Sequence, residues 1–575
     1  MISSLLKSAQ AGGCLWLPDL QDMFDGAKDS EKAVLRLYGF KDDIRDLELS
    51  VPAFKSAEER EFAVKYLSAW IFNLLSAAGG RKLEIYSDSE GAVRGLMPEI
   101  SDIFENRGGY SKTVKVSRRI CRIFGEKELC FEWKDIRGFD PAAAYTAKPG
   151  RCILNALARA GAEAEHTNCI GIDIGGTDIK LAASSGGKLA AVKEFDWNPA
   201  RSITAEGITA PVLVLLRLMR AAIAEHLYEL PEELSAKIAS AMKKDAGTDE
   251  MCAASEAVED YLKDRINVLD AVGISFPDVC IRDRIVGGET PKTLGMRNNP
   301  DIDYETEFAK ITGLADSVKA LCRDSCKVRI INDGNTAAFT AAMELAAIGK
   351  DPGPGLLAHT LGTDLGTGWF DENGLIPEMP LEMYCFLTDL GSIPQSRFAA
   401  DDLRSTLNEN SGLSDTRKYT SQAAAFRFAY EKDSGLLKGF IVEDGSTVRI
   451  CDFPQDMRKP CLEHLMNLCG SSETADGVFR EIGFAFGKLS LIMEKILKPA
   501  SASRYIFGRF VKSEACFKSL SEGFSAAAPH LRLIAADDSL AGTGLMKQLA
   551  KRSDVTVAQF GQAVGSVYYA LYDPD

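Results

Sequence analysis

Apolar and polar positions change period several times along this chain, and each change marks an element. Early on, Val64, Leu67, Trp70, Ile71 and Leu74 recur at helical spacing. Ser56-Ala-Glu-Glu59 ahead of them is a capping box, whose Ser hydroxyl and Glu carboxylate can satisfy the first helical N–H groups. Gly79-Gly80 ends that helix, and KLEIYSD reads as the strand that follows. TVKVSRRICRIF and ELCFEW alternate, which predicts a strand pair joined near Gly125-Glu126-Lys127. Residues 1 to about 165 therefore read as a separate unit of mixed α and β structure, with no recognisable chemistry of its own.

From Asn168 the texture changes. CIGIDIGGTDIKLAAS and KLAAVKEFDW predict a strand, a glycine turn, a second strand and a third. A helical stretch from about Ala210 to Lys263 interrupts this meander, and DAVGISFPDV resumes as a buried strand. A helix near Tyr304 to Leu321 leads into the strand KVRIINDGN and the helix TAAFTAAMELAAIG. After the loop DPGPG come a strand, LLAHTLGTDLGTGWF, and an Asn373-Gly374 pair that favours a type I′ hairpin. REIGFAFGKLSLIMEKIL is a helix feeding the strand RYIFG, and AQFGQAVGSVYYALY is a closing helix. The order is strands, helix, strand, helix, and then the same again, which is α/β architecture built on a duplicated unit.

Composition narrows the partners. The 575 residues carry a formal charge of -15, and 46% are hydrophobic. That length suggests about three or four folding units with cores of their own. An acidic balance argues against nucleic acid or an anionic membrane as the main partner, while backbone N–H groups can still bind phosphate locally. The 14 cysteines are scattered from Cys14 to Cys516 without paired CxxC units, the usage of reduced thiols in a cytoplasmic protein. Cys322 and Cys326 lack two further zinc ligands nearby. The N-terminus lacks a long apolar signal region, and the apolar window Ala210–Leu227 carries Arg217, Arg220, Glu225 and His226, which argues against a membrane span.

Chemistry concentrates in three segments. In Asp173-Ile-Gly-Gly-Thr-Asp-Ile-Lys180, an apolar strand delivers Asp173 to a turn where Gly175 and Gly176 expose bare backbone to phosphate oxygens. The Thr177 hydroxyl is a further donor, Lys180 lies on the returning strand, and an acid beside a phosphate loop suggests Mg²⁺ at Asp173. Neither a Walker loop nor a dinucleotide fingerprint fits, since strand rather than helix follows. Leu361-Gly-Thr-Asp-Leu-Gly-Thr-Gly368 is a second loop of the same character, with Thr363 and Thr367 as candidate phosphate contacts. Between them, Ile331-Asn-Asp333 ends a strand in an acid that can either act as a base toward a substrate hydroxyl or cap the following helix.

Taken together, these segments resemble the sugar kinases of the actin, Hsp70 and sugar-kinase superfamily, and more narrowly the ROK family (repressor, open reading frame, kinase). The resemblance covers about Asn168 to Tyr572. It implies duplicated ribonuclease H-like, actin-like ATPase domains around a nucleotide cleft, with an N-terminal α+β accessory domain. The expected boundaries are 1–165 for that accessory domain and 166–345 for the first ATPase domain, with a helical insert at about 205–265. The second ATPase domain is expected at 346–575, its last helix packing back on the first.

Carried over by position, the resemblance makes Asp333 the general base and Asn332 a sugar contact. Asp173 would hold hydrated Mg²⁺, while Gly175, Gly176, Thr177, Lys180, Gly362, Thr363 and Thr367 would line the ATP phosphates. Glu382 is the candidate sugar ligand, and Asn298, Asn299 and Asp301 are further sugar candidates. The family's adenosine-side glycine run appears as Gly508-Arg509-Phe510, where Arg509 or Phe510 could stack on adenine or block it. Cys385 stands where the family has His, so no structural zinc is expected, and His359 reads as a packed core residue. The implied activity is ATP- and Mg²⁺-dependent phosphorylation of a sugar hydroxyl in the cytoplasm. No nucleic acid or membrane partner is expected, and self-association as a homodimer is open. The alternatives are a sugar-sensing regulator without catalysis and an ATPase switch coupled to a partner.

Overall fold

The computed structural model describes the whole chain except residues 41–42, 107, 142–152, 288–290, 363–364, 392–396, 399–413, 537–538 and 575. It is an α/β protein with mixed sheets. The first sheet is formed by β1 (Glu31–Tyr38), β2 (Ile44–Val51), β3 (Lys82–Ser87) and β4 (Cys130–Asp135), in the order β2-β1-β3-β4. The helix Ala57–Ala78 joins β2 to β3. Ser56 Oγ caps it by accepting from Glu59 N at 3.2 Å, while the Glu59 carboxylate turns to Lys55 N at 2.8 Å. Its apolar side chains are buried on all sides from Phe62 onward, so it is a core helix rather than a surface one.

One expectation is corrected here. TVKVSRRICRIF is part of the helix Gly108–Phe124, with Val114, Ser117, Ile120 and Cys121 buried at helical spacing. The physical reason lies in the sheet: β4 runs parallel to β3, and parallel neighbours need a crossover that a hairpin cannot supply.

The second sheet has the order β11-β8-β5-β6-β7. It comprises β5 (Asn168–Ile174), β6 (Asp178–Ser185), β7 (Lys188–Asp196), β8 (Ala271–Phe276) and β11 (Lys327–Asn332). A small antiparallel pair, β9 (Cys280–Ile281) and β10 (Arg284–Ile285), lies between β8 and β11 in the chain. β5, β6 and β7 form the predicted antiparallel meander, while β5, β8 and β11 run parallel. Every residue of β8 is buried, as a parallel strand covered on both faces requires. Ile170, Ile172 and Ile174 share one core with the helices Glu206–Leu227 and Thr248–Leu262. On the alternate positions, a Cβ at Gly171 or Gly273 would stand 1.8 or 1.9 Å from the carbonyl oxygens of Ala563 and Ser566. The closing helix Val557–Leu571 therefore lies directly on bare strand backbone. The helix Glu206–Leu227 has the length and apolar content of a membrane span, yet most of it is buried in this core. Its Arg217 and Arg220 each reach Glu259 at 2.6 Å.

The remaining strands are β12 (Leu356–Leu361), β13 (Leu365–Phe370), β14 (Leu387–Asp389), β15 (Ser414–Asp415), β16 (Ile441–Asp444), β17 (Thr447–Ile450), β18 (Ser503–Gly508) and β19 (Arg532–Ala535). They include a sheet of order β13-β12-β18-β19, so LLAHTLGTDLGTGWF is two strands rather than one. The Asn373-Gly374 turn is not type I′: Gly374 takes φ +75° and Asn373 does not take a positive φ, whereas that turn needs both. The Asp371 carboxylate shapes it by accepting from the N–H groups of Asn373 and Leu375 at 2.9 and 2.8 Å.

The chain divides into two compact units. One comprises residues 1–147, 359–367 and 379–536; the other comprises 148–358, 368–378 and 537–575. Residues 1–147 thus share a core with the 379–536 segment. Asn73 exchanges hydrogen bonds with the Leu387 backbone at 2.9 and 2.8 Å, Leu15 N donates to Asp389 Oδ1 at 2.6 Å, and Arg45 donates to the Leu497 carbonyl at 2.8 Å. The texture of the sequence had set residues 1–165 apart.

Candidate functional site

Within the second unit, Asp173 stands at the end of β5, paired across the hairpin with Lys180. Gly175 N donates to the Asp178 carbonyl at 2.8 Å and closes the turn, leaving Gly176 and Thr177 exposed at its tip. The turn is held from behind by Trp197, whose backbone N–H reaches the Thr177 carbonyl and whose indole N–H reaches the Gly175 carbonyl, both at 3.0 Å. With those carbonyls satisfied, the N–H groups of Gly176 and Thr177 have no acceptor among the described residues. Successive unclaimed N–H groups at a bare glycine turn form an anion-binding concavity. Trp197 escaped the sequence reading, although a lone Trp closing the third strand was its signal.

The side chains of the turn are arranged differently from the expectation. Thr177 Oγ1 donates to Asp178 Oδ2 at 3.1 Å, and Lys180 forms an ion pair with the same carboxylate. Both candidate phosphate ligands are therefore engaged by Asp178. Lys292, which belongs to none of the three motif segments, instead has its Cε 3.6 Å from where a Cβ of Gly176 would stand.

The parallel strands bring two carboxylates to one end of the sheet. Asp173 lies opposite Ser275 on β8, and Ser275 lies opposite Ile331 on β11, so Asn332 and Asp333 fall just beyond that row. Burial pushes the Asp173 carboxyl up to about 6, with the charges of Asp333 and Asp178 adding to it and Ser275 and Lys180 opposing. Such a group favours an added cation. No cluster of three or more metal-ligating side chains exists among the described residues. A divalent ion here would rest on Asp173, water and ligand oxygens, a coordination that Mg²⁺ tolerates well.

Helix capping at this end is resolved as well. Asn332 is the N-cap of the helix Asp333–Ala347, its Oδ1 accepting from Gly334 N at 2.9 Å, and its Nδ2 donates to the Asp278 carbonyl at 3.0 Å. Asp333 is the first helical residue, and its Oδ1 accepts from the same Gly334 N–H at 2.9 Å. Its Oδ2 has no hydrogen-bond partner among the described residues. In the other candidate loop, Asn298 is exposed. Asn299 is committed internally, to the Ile203 carbonyl and to Asp301 N, both at 3.0 Å.

The first unit holds the other candidates. Thr363 lies outside the described residues. Thr367 Oγ1 sits 3.1 Å from His359 Nδ1, and both side chains are buried. His359 packs edge-on against Phe486 at 5.1 Å, and burial beside Arg504 pushes it down to about 3, so it is a neutral core residue. The Gly362 carbonyl accepts from Gln422 N at 2.8 Å. Gly508 takes φ +97°, and a Cβ there would meet the Leu361 carbonyl oxygen at 2.5 Å. Arg509 opens the short turn that follows. Phe510 is fully buried against Phe479, with centroids 5.6 Å apart, so stacking of Phe510 on adenine is corrected. Glu382 donates its backbone N–H to the Ser76 carbonyl at 3.0 Å, and its carboxylate lies 3.8 Å from Lys112 Nζ. The candidate sugar ligand thus faces a cation from the N-terminal segment.

No family model and no curated protein matches this chain. Solved structures do. A ROK glucokinase from Streptomyces griseus, determined with glucose and AMPPNP, matches at 18% identity over 69% of this chain and 98% of its own, with a TM-score of 0.34. Other ROK proteins are among the neighbours. The ROK hexokinase of Thermus thermophilus matches at 14% identity over 69% of this chain and 98% of its own, with a TM-score of 0.33. A ROK transcriptional regulator homologous to the MLC protein of E. coli matches at 10% identity over 71% of this chain and 79% of its own, with a TM-score of 0.40. At this level of likeness, kinases and a regulator stand side by side, and the functional reading rests on the residues of the chain itself.

Proposed function

We propose that the chain transfers the terminal phosphoryl group of Mg·ATP to a sugar hydroxyl, with Asp333 as general base. The observation that carries this reading is the end of the second sheet, where Asp173, Asp333 and a glycine turn with N–H groups unclaimed among the described residues share one edge. The Gly175–Thr177 turn would cradle phosphate oxygens. Asp173 would hold hydrated Mg²⁺, which would neutralise charge on the phosphates. Asp333, with Oδ1 pinned at the helix start, would present Oδ2 to the attacking hydroxyl and take its proton in the transfer step.

The same reading makes the architecture a duplicated ribonuclease H-like pair. In β7-β6-β5-β8-β11 and in β13-β12-β18-β19, the early strands occupy one side of the sheet and two later strands the other, the second copy having one strand fewer.

The test is ADP release from Mg·ATP across hexoses, hexosamines and N-acetylated sugars, with Asp333→Asn alongside. Sugar-dependent release that vanishes in the variant supports the kinase. Sugar binding without ADP release supports the second reading, a sugar sensor. That alternative is favoured by Asn332 being engaged as a helix cap and Glu382 facing Lys112.

A further inference from the structure

The lysine that the DIGGTDIK motif offers to phosphate is Lys180, and the fold withdraws it. Lys180 is ion-paired with Asp178, which also accepts from Thr177, so its charge is neutralised within the hairpin. A different lysine reaches the same place from a distant part of the chain. Lys292 belongs to the short turn Pro291–Thr293, and its Cε lies 3.6 Å from the Cβ position of Gly176. The Lys292 side chain therefore lies in contact range of the tip of the glycine turn. Lys292 Nζ donates to the Pro277 carbonyl at 3.2 Å, just past the end of β8. β8 is the strand between β5, which carries Asp173, and β11, which leads to Asp333. The ammonium group is therefore held on the sheet end shared by the glycine turn and the base. Among the described residues its partner is a neutral carbonyl, and it joins no ion pair.

We infer that Lys292, not Lys180, is the cation that binds the phosphoryl group to be transferred. This rests on the kinase reading and adds a residue that its motifs do not contain. An ammonium whose partner among the described residues is a carbonyl can turn a proton toward an anionic oxygen at little cost, and such charge-assisted bonds are the stronger kind. Lys180 would first have to leave Asp178.

The test is calorimetric titration of Mg·ATP and, separately, Mg·ADP into the full chain and into Lys292→Met, Lys292→Arg and Lys180→Met. The expected result is a loss of about 10-fold or more in ATP affinity for Lys292→Met, a smaller loss for ADP, and partial recovery in Lys292→Arg. Lys180→Met should lose less than Lys292→Met. Thermal unfolding of each variant confirms that it is folded, and a variant that fails this check is replaced by Lys292→Gln. Equal losses for ATP and ADP, or a larger loss from Lys180→Met, would overturn the assignment while leaving the kinase reading intact. A wild-type chain that binds neither nucleotide overturns both.

Discussion

Two loops of this protein are written in nearly the same letters, and the fold treats them differently. The turn at Asp173–Asp178 and the loop at Leu361–Gly368 are both rich in Gly and Thr after an apolar strand. In the first, the carbonyls are tied back by Trp197, the N–H groups of Gly176 and Thr177 are unclaimed among the described residues, and a half-buried acid stands beside them. In the second, leaving aside Thr363 and Asp364, which lie outside the described residues, the Gly366 N–H donates to the Thr360 hydroxyl at 3.1 Å, the Thr367 hydroxyl meets His359, and Gly508 is pressed onto Leu361. A phosphate motif is therefore recognised less by its glycines than by whether the fold leaves its donors unoccupied.

The contrast can be broken most decisively at the base. Asp333→Asn should lower sugar-dependent ADP release by about 10²–10⁴-fold while Mg·ATP affinity, measured by calorimetry, stays within a few fold. An unchanged rate would remove the first loop's claim to be catalytic. Gly508→Ala should lower stability by about 1–3 kcal/mol in chemical denaturation, because the added methyl meets a carbonyl and the backbone sits at positive φ. A neutral result would show that the second loop is not tightly packed.

Acid should move the two loops in opposite directions. Asp173 is raised from 3.8 to about 6, so the folded state holds a proton that the unfolded chain has lost, and stability falls as pH rises through that window. Asp173→Asn should accordingly gain about 1–2 kcal/mol over the wild type at pH 7, a gain that disappears by pH 4. His359 is lowered from 6.5 to about 3, so the unfolded chain binds the extra proton and stability falls as pH drops through that window. His359→Phe should therefore lose less stability than the wild type on acidification from pH 6.5 to pH 4. Thermal unfolding across the pH range reads both, and shifts of the same sign would refute the contrast. The smallest effect separates the threonines: Thr367→Val should cost about 1 kcal/mol of stability through its lost His359 contact, whereas exposed Thr177→Val should leave stability nearly unchanged.

Some of this was legible before the fold was known. The β5–β7 meander, the buried β8, and a strand ending in Asn332-Asp333 before a helix follow from local patterning, since each is specified by neighbours a few residues away. The capping box at Ser56 was half legible: the Ser bond forms, but Glu59 reaches Lys55 N instead of its N-cap residue. The helix Gly108–Phe124 was misread because Val114 and Val116 alternate locally, and only the parallel pairing of β3 with β4 shows that the chain must cross over.

Taken by itself, the sequence determined where the acids and glycines stand along their strands, because alternation and turn chemistry act over a few residues. The tertiary structure decided which of those groups are engaged. It paired Lys180 with Asp178, buried Phe510 against Phe479, brought Lys292 to Gly176, and joined residues 1–147 to 379–536. Burial and ion pairing depend on groups that are remote in the chain, so no local pattern could have announced them.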